Sequence, residues 1–175
     1  GSAGRAIFFE NNGGTFTEIQ TGNAAGSQQA FGSSVDIDDS LAVIGANGDR
    51  RDINETYFSN NELAGCAYVY AFRNGAWVQT KKLISSDREK GDRLGFSASI
   101  SGDNIIVGAY AEAHDAQGGN QKTYSGSAYI FNRNGNDWIQ SEKIAASDRS
   151  TWDYFGYSVC IDNQNLLIGS YGVDT

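Results

Sequence analysis

A single histidine, His114, decides which hydrolytic chemistries are open to this chain. A Ser-His-Asp relay needs an imidazole between its nucleophile and its carboxylate, so it would have to use this residue. His114 lies in a glycine-rich stretch without a flanking nucleophile motif, and it reads as a loop histidine. Paired acids offer a second route, because two carboxyl groups can cleave a glycosidic bond by general acid-base work. The segments "SDREKGDRLG" and "SDRSTWDYFG" carry Asp87 and Asp92 in one copy and Asp148 and Asp153 in the other. Their setting suits turn and capping carboxylates that accept backbone N–H bonds. Asp36, Asp38 and Asp39 in "DIDDS" lack the glycine and closing carboxylate of a calcium loop, so calcium is not expected at that place; no cofactor is expected, with calcium elsewhere as the alternative.

Recognition chemistry is better represented. The stretches 47–64 and 110–125 hold Arg50, Arg51, Tyr57, Phe58, Tyr110, His114 and Tyr124 among many Asn, Gln and Gly residues. Rings supply contact area and amides supply directional hydrogen bonds, a mixture suited to a sugar or a protein surface. Connections of this length in a compact repeat are usually functional or disordered, and they can also fold back over the strands as a cap. Trp152 stands where its sister segment has Gly91, and Tyr154 where it has Arg93. A glycine replaced by tryptophan marks either a packing plug or a binding platform. Arg50, Tyr57, Phe58, Tyr110, His114, Tyr124, Trp152 and Tyr154 are the candidate ligand-binding residues.

Composition narrows the partners. The net charge of −8 disfavours nucleic acid and an anionic membrane surface, and no apolar run approaches the length of a membrane span. With 22 glycines and no proline, the 175 residues leave tight turns to glycine. Two cysteines are too few for a disulfide scaffold. Cys66 aligns with Ser127 and Cys160 with Ser99, so both read as free, small, packed side chains.

The elements that must position these residues come as an internal repeat. "GRAIFF" at Gly4, "GCAYVY" at Gly65 and "GSAYIF" at Gly126 are spaced 61 residues apart. Each is followed by a second strand-like run, "FTEIQ", "WVQTKKL" or "WIQSEKI", across a glycine-bearing turn. Then come "FGSSVDI", "LGFSASI" and "FGYSVCI", and finally "LAVIGA", "NIIVGA" and "LLIGS". Asn-Gly in Arg73-Asn74-Gly75 and Arg133-Asn134-Gly135 is a strong hairpin signal, since both residues tolerate positive φ. No stretch sustains a helical apolar period. Four short antiparallel strands per unit predict an all-β fold, a β-propeller of four-stranded blades, with a β-sandwich of repeated hairpins as the alternative. The chain is one unit, 1–175, with repeats at approximately 4–64, 65–125 and 126–175. Small residues such as Gly95, Ser97, Ala98 and Ser99 would let neighbouring blades approach, and Ile105-Ile106-Val107 would be buried on both faces.

These landmarks resemble the FG-GAP repeats of integrin α-subunit propellers, and more closely those of secreted bacterial FG-GAP-like proteins. The matching residues are Phe31-Gly32, Leu94-Gly95 and Phe155-Gly156 for "FG", with Gly45-Ala46, Gly108-Ala109 and Gly169-Ser170 for "GA". The proline of "GAP" is replaced by Asn47, Tyr110 and Tyr171, and the calcium loop of integrin blades is absent. The resemblance implies a non-catalytic, extracellular or cell-surface module for adhesion or recognition of a glycan or protein ligand. A carbohydrate-active enzyme on a propeller and a purely structural spacer are the alternatives. Because the strands run in the order three-four-one-two, each end carries half a blade. The partner expected there is a second copy closing a head-to-tail six-bladed ring, or the remaining blades of a longer parent chain.

Overall fold

The computed structural model describes residues 4–23, 30–51, 54, 56–57 and 63–172. They contain twelve strands and, among the described residues, no helix. The N-terminal hairpin is β1 (Ala6–Asn12) with β2 (Thr15–Gly22). A first blade comprises β3 (Phe31–Asp38), β4 (Leu41–Ala46), β5 (Cys66–Arg73) and β6 (Ala76–Leu83). The second has β7 (Ser97–Ser101), β8 (Asn104–Ala109), β9 (Ser127–Asn134) and β10 (Asp137–Ile144). A C-terminal hairpin of β11 (Phe155–Asp162) and β12 (Asn165–Ser170) follows. Both blades are antiparallel meanders in sequence order, and both hairpins have an open side where a complete blade has more strands. The expected blade and half-blade pattern is therefore present, with the sheets not closed into a ring.

Local chemistry explains the turns. Asn74 and Gly75 have φ of 53° and 81°, the paired left-handed geometry of a type I′ hairpin. The second blade differs from the sequence expectation: Asn134 is still paired, with Asp137, so Gly135-Asn136 makes its turn. Each of these outer hairpins also carries a bulge that skips Ile19, Thr80 or Ser141. Thr80 and Ser141 turn their hydroxyls onto the carbonyls of Val69 and Ile130 across the bulge.

The core lies between successive sheets. Phe8, Tyr70 and Trp77 join the N-terminal hairpin to the first blade, with Phe8 stacked on Trp77 at 4.7 Å. Val43, Ile100, Ile105, Val107 and Phe131 fill the space between the two blades. Ile106, Ile130 and Ile161 join the second blade to the C-terminal hairpin. Ile105, Ile106 and Val107 are fully buried, as a two-sided apolar strand requires.

The FG and GA glycines make these contacts possible. A Cβ on Gly45 would run into the Gly95 carbonyl oxygen, and one on Gly108 into that of Gly156. The same two carbonyls accept from serines of the preceding sheet, Ser34 to Gly95 at 3.0 Å and Ser97 to Gly156 at 2.7 Å. Asp36 accepts from Ser99 Oγ and from Ile100 N, and Asp38 from Gly102 N, so the "DIDDS" carboxylates tie blade to blade. One expectation is corrected: Cys66 is buried, but Cys160 is exposed, because among the described residues no further sheet covers its face of the C-terminal hairpin.

Candidate functional site

Two buried charge clusters anchor the long connections. In the first blade Asp49 sits 2.8 Å from Lys82 Nζ and 3.1 Å from Arg51 Nε, with Arg88 Nη2 at 3.6 Å. Burial pushes the Asp49 carboxyl upward, but the bond and charge of Lys82, with Arg51 and Arg88, outweigh it and hold the pKa at about 2. At the matching positions of the second blade, Glu112 lies 3.1 Å from Lys143 Nζ, and Lys143 also reaches Asp87 at 2.7 Å. Arg88 and Arg149 act as clamps. Arg88 donates to the carbonyls of Arg51 and Gly65, and Arg149 to those of Ala113 and Asn120 and to Ser125 Oγ. The 110–125 connection thus folds back on its own blade, as a cap would.

The acids of "SDREKGDRLG" and its sister serve the turns. Asp92 accepts from Glu89 N at 2.6 Å, and Asp153 from Ser150 N. Burial, reinforced by the charges of Glu112 and Asp87, pushes the Asp92 carboxyl up to about 7. His114 has its Nδ1 3.1 Å from Glu112 Oε1, while Ser127 Oγ donates to Glu112 Oε2 at 2.7 Å. Histidine, acid and serine are therefore neighbours, but the carboxylate stands in the middle and Ser127 is fully buried. A nucleophile needs the imidazole in that middle place.

The candidate binding residues do not form one set. Arg50 and Tyr57 belong to the first blade's long connection, where Tyr57 bridges Arg51 and is exposed, while Phe58 lies outside the described residues. His114 sits on Glu112, and Tyr110, Tyr124, Trp152 and Tyr154 come together elsewhere. Tyr124 and Trp152 are 4.8 Å apart, Trp152 and Tyr154 6.2 Å, and Tyr154 and Tyr110 5.8 Å. From Tyr110 the rings continue to Phe96 at 4.5 Å, then to Tyr157 at 4.7 Å and Tyr171 at 5.0 Å. Tyr171 in turn lies 6.2 Å from Tyr154, so the seven rings form one connected arc that curves back on itself along the seam between the second blade and the C-terminal hairpin.

Backbone pairing builds this arc. Trp152 N donates to Thr123 O and Tyr154 N to Tyr124 O, both at 2.9 Å, so the two connections run side by side up to the Gly126–Phe155 bridge. Phe96 and Tyr157 follow the FG glycines, and Tyr110 and Tyr171 follow the GA pairs. Strand one begins where strand two ends, so these four rings converge. Trp152 has φ of 71°, Tyr124 54° and Tyr154 55°. A left-handed backbone is uncommon for bulky residues and costs about 1–3 kcal/mol where it occurs. The equivalent of Trp152 in the second repeat is Gly91, at φ of 93°. Tryptophan has been placed in a conformation that suits glycine, and its side chain is 50% exposed.

Sequence reasoning missed Phe96, Tyr157 and Tyr171 as members of the site. The available signal was positional, since aromatic residues follow both FG and GA in the second and third repeats. The first repeat has Ser33 and Asn47 there.

Four-stranded antiparallel blades, interlocked through paired glycines, define a β-propeller-type repeat domain. The FG-GAP repeat matches residues 21–70, 77–131 and 138–175, and the chain belongs to that family. No curated protein matches it.

Proposed function

We propose that this chain is a non-catalytic, extracellular recognition module that binds a glycan or protein ligand through the seven-ring arc. The observation that carries this reading is Trp152: half-exposed, beside Tyr124, on a backbone that a tryptophan adopts only at a cost. A packing plug would bury its ring. The hydroxyl-bearing tyrosines and the tilts between rings favour a glycan, whose apolar C–H faces lie on rings while its hydroxyls meet phenol groups. FG-GAP repeats accord with an extracellular setting, and no described helix is long and apolar enough to cross a membrane.

The test is capture on paired glycan and matrix-protein arrays. Trp152→Ala should abolish capture while leaving the melting temperature within a few degrees of the parent. Retained capture overturns the arc as the site, and turnover of a polysaccharide by the parent would replace this reading with an enzyme.

A further inference from the structure

Repeats within one chain act as internal controls for exposure. Leu167 on β12 is 74% exposed, whereas its counterparts Val43 and Ile106 are both at 0%. Ile37 on β3 is 58% exposed, against 4% for Ile100 and 7% for Ile161. Phe9 on β1 is likewise exposed where Tyr70 and Phe131 are buried. Among the described residues, these positions that a complete repeat hides from water are open at the two incomplete ends. Beside the N-terminal hairpin lies a groove of about 520 Å³ lined by Ala6, Phe8, Phe9, Val35, Ile37 and Ile44. The uncovered run on β12 is Leu166-Leu167-Ile168, of the same apolar character.

The interlock is half-built at the same place. Gly45 and Gly108 each face the carbonyl of the next sheet's FG glycine, but Gly169 faces only Ser158. Charge patterning shows which sheet fits. Complete blades bury an acid on the strand two side, Asp49 or Glu112, against a lysine on strand four, Lys82 or Lys143. Arg88 and Arg149 follow these lysines. In the divided unit the sequence has Val173 at the acid's position, Thr21 at the lysine's and Ser27 at the arginine's. In sequence all three charges are replaced together, and Thr21, on β2, brings no ammonium where the complete blades set Lys82 or Lys143 against a buried acid, so these two halves match each other without a buried ion pair.

We infer that the C-terminal hairpin of one copy pairs with the N-terminal hairpin of a second copy, forming one blade in the order β11-β12-β1-β2. The registers of β4 with β5 and β8 with β9 fix the pairing. Leu166 faces Phe9 of the second copy, Leu167 its Phe8, and Gly169 its Ala6. Two such junctions close a ring of two chains, a heterologous contact that terminates at the second step.

Sedimentation of the 175-residue chain at tens of micromolar should give twice the chain mass. Gly169→Ala keeps its fold, because the added carbon meets only the rotatable Ser158 hydroxyl, yet it should sediment as one chain. Leu167→Asp and Phe9→Asp, which break opposite edges, should each be single chains, and an equimolar mixture should recover the double mass through one intact junction. Cys160, which faces this junction, should react with a maleimide at least tenfold more slowly in the assembled parent than in Gly169→Ala. A single-chain mass for the parent overturns the inference. So does a double mass that Gly169→Ala leaves unchanged, or a mixture that stays unassembled, since either places the contact elsewhere.

Discussion

Trp152 combines a structural cost with an exposed ring, so stability and binding should move in opposite directions when it is changed. Trp152→Gly restores the residue found at the sister position and should raise stability by about 1 kcal/mol in denaturant unfolding. It should also lose ligand capture, and unchanged stability would remove the strain argument. Two buried acids give a second contrast. The Asp49 pKa of about 2 lies below the ordinary carboxylate value, so its contribution is present above about pH 4 and is lost as the pH falls toward 2. The Asp92 pKa of about 7 lies above that value, so its contribution is present at low pH and lost as the pH rises through 7. Asp92→Asn keeps the acceptor for Glu89 N and should raise the melting temperature at pH 8 but not at pH 4. Asp49→Asn should steepen no loss above pH 5, yet remove the loss between pH 4 and pH 2. Trp152 was legible in sequence because a glycine position held a tryptophan. The Asp49–Lys82 pairing was not, since residues 33 apart give no hint that a blade brings them within bonding distance.

At the level of strands and turns, the glycine interlock predicts an asymmetry among chemically identical changes. Gly108→Ala drives a methyl into a backbone carbonyl that β11 holds in place, and should cost about 3 kcal/mol in denaturant unfolding. A cost below 1 kcal/mol would mean that the sheets can slide apart. Arg149→Met removes the clamp on the 110–125 connection. It should destabilise the chain by about 2 kcal/mol and make that segment the first site of limited proteolysis. The strands themselves were legible, because aromatic and β-branched runs ended at Asn-Gly, Asp-Ser or Gly-Asp pairs. The bulges at Ile19, Thr80 and Ser141 were not. One skipped residue in a half-exposed strand hardly disturbs the pattern of apolar positions. The turn at Gly135-Asn136 falls 61 residues after that at Asn74-Gly75, in step with the repeat, and it is the Asn-Gly pair that lies one residue earlier in the second blade, a detail that Asn-Gly chemistry alone does not resolve.

Across the whole chain, three layers of core lie between four sheets, and the outermost sheets each leave an apolar surface uncovered. The repeat order made that visible in sequence, because strands three and four precede the first FG. The ring arc was only partly visible, since its members come from four separate segments that meet where the second blade abuts the C-terminal hairpin. That location matters for retention on a ligand-coated surface. A closed pair of chains would display the arc twice on one side, half a turn apart, whereas at the seam between the two blades Ser33 and Asn47 stand in place of two of the rings. Two weak sites on one rigid body gain avidity, because the second engagement follows the first at an effective concentration set by their separation. Gly169→Ala should therefore keep the affinity of each arc for a soluble oligosaccharide while washing off a dense polysaccharide film far sooner than the parent.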